Sequence, residues 1–347
     1  MRKKWTTPEG LLTKSLGRKP LFKDLPTSSP ILLLALCVAV VLPLPACGGT
    51  SGKPGEQAAL EIGPGNHERT IQVGGRERSY SLHIPPSYSK SRPMPVVLNL
   101  HGGGGTPETQ RNISEMDETA DRKGFVVVYP QGTNRKGKLI PGYTWNAGTC
   151  CGWAEENGID DVAFMEALLS DLERVVSIDQ KRIYATGISN GAMMAYRLAC
   201  ELAHRIAAVA PVSGPMQVKD CRPSRPVSIM HFHGTEDPFV PFGGGKGPRS
   251  LPGQSFTPVE ETLGFWIEFN GLDPRSPDIS RTGNAVRYDY GTGKTGAEVV
   301  LWKIEGGGHT WPGGTFGFLK EGMLGKMTMD ISASNVMWDF FSGHSLP

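Results

Sequence analysis

From about Thr70 the chain alternates short apolar, β-branched runs with longer amphipathic ones, and this alternation restricts it to an α/β fold with a largely parallel sheet. The strand-like runs are 69–73 and 78–84, an antiparallel pair around Gly74-Gly75, followed by 95–100, 125–129, 182–186, 206–211, 227–232 and 298–304. Helical patterns cover 107–122, 162 to about 177, the residues after 190, 259–269 and 333–342. Asp160 and Asp161 stand where helix-capping residues belong. The connection 130–158 is too long for a simple joint, which marks it for function. With 38% hydrophobic residues, residues 69–347 are sufficient for one large core and read as one domain.

The N-terminal residues follow different rules. Twelve unbroken apolar residues at 31–42 suit a signal-peptide core and fall short of the roughly 20 that span a bilayer. A basic flank precedes them, and Leu44-Pro45-Ala46-Cys47 follows. This resembles a bacterial lipoprotein signal, so 1–46 is predicted to be removed, Cys47 to carry a lipid, and 47–68 to be a flexible linker. Ordinary secretion with cleavage near Ala46 is the alternative. The formal charge of +2 gives no electrostatic footprint for a nucleic-acid partner. The excess itself belongs to 1–46, since residues 47–347 hold 29 basic against 32 acidic side chains. Membrane contact is expected through the lipid on Cys47 alone.

Export favours disulfides among Cys150, Cys151, Cys200 and Cys221. A vicinal bridge departs from ordinary disulfide geometry, so Cys150 and Cys151 are each expected to pair with one of Cys200 and Cys221, in either arrangement. A zinc site is the competing reading, and no Cys-x-x-Cys spacing supports it.

The chemistry centres on Gly187-Ile188-Ser189-Asn190-Gly191. Gly-x-Ser-x-Gly alone says little in a chain with 45 glycines, but here it lies where an apolar strand meets a helix, the setting of a nucleophile elbow. A serine hydroxyl needs a base to take its proton and a carboxylate to orient that base, in the chain order Ser, acid, His. His309 follows the strand 298–304 and three glycines, while His344 is expected to be exposed at a frayed C-terminus. Asp237, after the strand 227–232, is the predicted acid, with Glu236 in reserve. The backbone N–H of Asn190 and one from the run His101 to Gly105, Gly103 for preference, are the expected oxyanion donors. His231 and His233 alternate on one strand face but lack a third ligand, so they read as structural and no metal is expected. Trp311, Trp145 and Trp153 are candidates for an aromatic wall beside the base, Trp153 equally for packing.

Several motifs occur together in order: Cys150-Cys151-Gly152 with Asp160-Asp161-Val162, the run from Tyr184 to Met194, His233-Gly234-Thr235 with Asp237, and Gly308-His309 with Trp311-Pro312-Gly313. Over roughly 69–343 the chain thereby resembles the secreted polyhydroxybutyrate depolymerase-like esterases, relatives of the feruloyl and acetylxylan esterases. The resemblance implies an α/β-hydrolase fold, cofactor-free ester hydrolysis, an ester-containing polymer or oligomer as substrate, and Ser189, Asp237 and His309 as the triad. A serine peptidase of the same fold and a non-catalytic, lipid-anchored binding protein are the rival readings.

Overall fold

A computed structural model of the chain describes residues 62–134, 142–250, 253–317 and 320–347. The expected signal 1–46, the lipidated Cys47 and most of the linker 47–68 lie outside the described residues. In chain order the elements are β1 (Gly65–Val73), β2 (Arg76–Ile84), β3 (Met94–Leu100), α1 (Pro107–Ser114), α2 (Met116–Lys123) and β4 (Val126–Pro130). There follow α3 (Gly152–Glu156), α4 (Asp161–Val175), β5 (Ile178–Ile188), α5 (Asn190–Glu201), β6 (Ala208–Val212) and β7 (Ser228–Gly234). The chain closes with α6 (Val259–Phe269), β8 (Asp278–Thr282), β9 (Ala285–Thr292), β10 (Glu298–Ile304), α7 (Glu321–Leu324) and α8 (Ala333–Phe341).

All ten strands form one sheet in the order β1-β2-β4-β3-β5-β6-β7-β10-β9-β8. The six central strands, β4 to β10 in that order, run parallel, and an antiparallel extension flanks each side. Side chains alternate between two apolar layers, as a strand's period of two requires. Val96 and Leu98 of β3 join Phe164 and Leu168 of α4, Met194 of α5 and Trp266 of α6 on one face. Val97 of the same strand joins Met116 of α2 and Trp338 and Phe341 of α8 on the other. Buried on both sides, the central strands read as continuous apolar runs. The ends of β3, β5, β7 and β10 therefore open on a single edge, where an open α/β sheet binds its ligands.

Several expectations need correction. β1 begins at Gly65, so it takes in the last four residues of the expected linker. The single helix expected over 107–122 is two, broken where Glu115 turns left-handed at φ 48°, and the break frees the Ser114 carbonyl to accept from Ser334 Oγ at 2.7 Å. The hairpin β8–β9 falls outside the expected strands: β8 is exposed throughout and gives no apolar signal, although Val286, Tyr288 and Tyr290 of β9 alternate with polar residues. The C-terminus is not frayed: Tyr184 donates to the His344 carbonyl at 2.7 Å, and Leu346 N–H reaches Lys181 O. The His344 ring lies 3.4 Å from Glu298, at the end of β10 opposite His309.

The cysteines pair as Cys150–Cys151 and Cys200–Cys221, not across. Cys200, in the last turn of α5, and Cys221 have Cα atoms 5.1 Å apart, within the ordinary range, so each satisfies the other and leaves the adjacent pair to itself. Neither bridge fastens the long loop. Hydrogen bonds do so: Arg197 Nη1 donates to Asn146 O, Thr149 N–H to Gln217 O, and Asn146 N–H to Asp161 Oδ2.

Asp160 caps α4 as expected, accepting from Ala163 N–H at 2.8 Å, but Asp161 does something else. Its carboxylate is buried against Arg78 of β2 at 2.7 Å. Burial pushes the Arg78 guanidinium down and the Asp161 carboxyl up, each opposed by its partner's charge. Removing one member leaves an uncompensated buried charge. Asp161→Ala is therefore expected to lower the unfolding free energy by about 3–5 kcal/mol in denaturant titrations, and a loss below about 1 kcal/mol would show that Arg78 is not desolvated.

Candidate active site

Ser189 sits at the N-cap of α5 with φ 58° and ψ −122°, a conformation an L-residue holds only when its surroundings enforce it. The enforcement is steric. A side chain at Gly191 would overlap the carbonyls of Leu100 and His101, and one at Gly187 would meet Leu100 O and the backbone of Gly191. With both glycines, the turn fits beneath the end of β3 and presents Ser189 at the sheet edge.

His309 and Asp237 meet beside it. His309 Nδ1 donates to Asp237 Oδ2 at 2.7 Å, and Asp237 Oδ1 accepts from the N–H groups of Phe239 and Val240, each at 2.9 Å. Burial alone would raise the Asp237 carboxyl. The charge and hydrogen bond of His309, with His233 and the Val240 N–H, hold it below the usual carboxylate range. Glu236, the reserve, is exposed. The His309 loop packs backbone to backbone on the acid's loop, because a side chain at Gly234 would overlap Gly307 and Gly308. Phe239 flanks the imidazole at 5.3 Å between ring centres.

Ser189, His309, Gly103, Ile113, Trp311 and Phe316 all line one cavity of about 300 Å³. Within the glycine run, Gly104 N–H is spent on Tyr143 O and Gly105 N–H on Gly102 O, and Gly103 borders the cavity. Trp311 forms a buried wall, its indole N–H held by Ser334 Oγ at 3.1 Å. Trp145 does not line this cavity. It is fully buried beneath the glycine run, its indole N–H donating to His101 O while its backbone is clasped by the Asn190 amide. The expectation failed because a support and a contact have the same aromatic signature in sequence. Trp153 lies against Arg76 in a separate cleft.

Sequence reasoning gave no role to the His101 side chain. Its Nδ1 donates to Gly102 O at 2.8 Å and its Nε2 accepts from Gly132 N–H at 3.0 Å, which fixes a neutral tautomer and ties the long loop to the glycine run. Its position directly before four glycines was the available signal.

Strained serine, carboxylate-paired histidine and a parallel sheet edge together define an α/β-hydrolase. A solved acetyl xylan esterase from Aspergillus awamori shares the fold, with a TM-score of 0.50 at 16% identity over 70% of this chain and 94% of that one. The family model described as "Esterase PHB depolymerase" matches residues 78–263, and the chain belongs to this family; it is a carboxylic ester hydrolase of the serine esterase type. Among curated proteins it is similar to "Putative esterase NocK" of Nocardia uniformis subsp. tsuyamanensis, 30% identical over 79% of this chain and 82% of that protein. It is also similar to "Feruloyl esterase B" of Piromyces equi, 28% identical over 78% of this chain, which spans only 46% of that relative.

Burial pushes the His101 imidazole down to about 4 from an ordinary 6.5, with the Gly102 carbonyl partly offsetting. His231 and His233 are likewise lowered by burial. The unfolded chain takes up protons on these rings near pH 6.5 and the folded one does not, so their contribution is complete above pH 6.5 and is lost as pH falls toward 4. The thermal midpoint is expected to drop over that interval. A midpoint constant from pH 7 to about 4.5 would contradict the neutral assignment of these rings.

Proposed function

We propose that Ser189, His309 and Asp237 are the catalytic triad of an exported esterase that acts on ester-bearing polymers or oligomers. The observation that carries this reading is the 2.7 Å His309–Asp237 hydrogen bond, with His309 lining the same cavity as a serine strained into an elbow. Ser189 Oγ attacks the ester carbonyl while His309 Nε2 takes its proton, and the Oγ–C bond forms. The oxyanion is met by the N–H groups of Asn190 and Gly103, aided by the N-terminus of α5. The C–O bond to the leaving alcohol then breaks, and the alcohol takes the proton from His309. A water gives its proton to His309 and attacks the acyl-enzyme, which releases the acid and returns the proton to Ser189. Asp237 holds the imidazole with Nδ1 protonated throughout and stabilises the imidazolium.

The cavity is walled by Ile113, Trp311, Phe316 and Leu324, which suits an alkyl or aryl acyl group. Hydroxyalkanoyl, feruloyl and acetyl esters are the acyl classes that the family and its relatives put forward. The signal-like 1–46 and Cys47 support export, with a lipid holding the enzyme at a membrane.

Ser189→Ala is expected to reduce kcat on p-nitrophenyl butyrate by at least about 1,000-fold with an unchanged melting temperature. Retention of most activity would sink the triad. Parallel assays with hydroxybutyrate oligomers, methyl ferulate and acetylated xylan identify the acyl class.

A further inference from the structure

Beneath the acid's loop, three side chains that take no part in the acyl-transfer steps form one buried hydrogen-bonded line. Tyr196 Oη lies 2.9 Å from His231 Nδ1, His231 Nε2 lies 3.1 Å from His233 Nδ1, and His233 Nε2 lies 2.8 Å from Val240 O. All three are fully or almost fully buried, and the rings are stacked, with centroids 5.8 Å and 5.3 Å apart.

The direction of every bond follows from the end of the line. A carbonyl oxygen only accepts, so His233 Nε2 carries the hydrogen. Burial keeps both imidazoles neutral, so His233 Nδ1 is a lone pair and must accept from His231 Nε2–H. His231 Nδ1 is then a lone pair as well, and it accepts from the tyrosine hydroxyl. No ring nitrogen is left unpartnered, and no alternative tautomer preserves all three bonds.

What the line connects gives it meaning. Tyr196 stands on α5, two turns along from Ser189 at that helix's N-cap. Val240 accepts from His233 through its carbonyl and donates its N–H to Asp237 Oδ1. The line therefore joins the helix that carries the nucleophile to the residue that orients the acid. A core that needed only stability would be served by apolar side chains of the same shape, without the cost of burying two imidazoles. Besides His231, the charged and titratable groups facing His233 are Asp237, whose Oδ2 is 3.6 Å from Nε2, and His309. A neutral donor at this position steadies the acid without adding a competing charge.

We propose that Tyr196, His231 and His233 form a positioning relay that fixes the Asp237 loop relative to the Ser189 helix, with His233 as its working end. This rests on the reading of Asp237 as the triad acid, and its tests separate the two. Ring ¹⁵N shifts of the wild-type protein at pH 7 are expected to show His231 and His233 both as neutral Nε2–H tautomers. An Nδ1–H form or an imidazolium at either ring overturns the relay, whether or not the enzyme turns over.

His233→Leu is expected to lower kcat on p-nitrophenyl butyrate by about 10- to 100-fold, the scale of a misplacement near 1 Å, with KM within about twofold. His233→Gln, whose amide N–H can reach Val240 O, is expected to recover most of that loss. Tyr196→Phe, a milder change that keeps the ring, is expected to lower kcat with KM unmoved and to perturb the His231 shifts. Equal kcat in wild type, His233→Leu and Tyr196→Phe, with only the melting temperature reduced, overturns the positioning role. Fluorophosphonate labelling of wild-type Ser189 checks the triad reading separately, since its failure would leave the tautomer result standing.

Discussion

The catalytic edge depends on one close approach, the passage of the turn 187–191 beneath the carbonyls of Leu100 and His101. Contact there is backbone against backbone, so the positions of β3, β5 and α5 relative to one another are set by van der Waals radii instead of by adaptable side chains. The strained Ser189 backbone follows from that constraint. The glycine run follows too, since it continues from His101 and borders the cavity that Ser189 faces. Trp145 and Asn190 then fasten the arrangement from below, one through His101 O and the other through the clasped peptide of the long loop.

The proposed site was legible in the sequence to the extent that it is local. Ser189 announced itself through flanking glycines at a strand-to-helix junction, and Asp237 and His309 through loops that follow apolar strands. The fold class was equally plain, because strands buried on both faces leave unbroken apolar runs. What escaped depends on contacts between distant segments. The pairing of the cysteines is set by where α5 ends relative to the loop holding Cys221. Asp161 has the sequence position of a cap, and only its meeting with Arg78, 83 residues earlier, gives it another task. Trp145 and Trp311 are indistinguishable as letters, yet one supports the glycine run and the other walls the cavity. The edge strand β8, exposed throughout, lacked the apolar alternation that marks a strand, while its partner β9 carried it at Val286, Tyr288 and Tyr290.

Buried polar groups divide here into two kinds. The pair Arg78–Asp161 joins opposite charges and holds the start of α4 to β2. The imidazoles of His101, His231 and His233 are uncharged, and each ring nitrogen has a partner of the opposite hydrogen-bonding sense. Near the proposed triad, neutral rings impose direction without competing with a charge on His309.

The backbone contact between Gly234 and Gly307-Gly308 has a consequence for how such an enzyme diversifies. The loops that carry His309 and Asp237 meet there through main chain, so their approach at that point is set by backbone contact and not by the side chains that line the cavity. Other residues that line the cavity, such as Ile113 and Phe316, can change in size and polarity without touching that contact. Conserved reactivity and variable substrate preference become separable properties of one scaffold, with the glycines as the boundary between them.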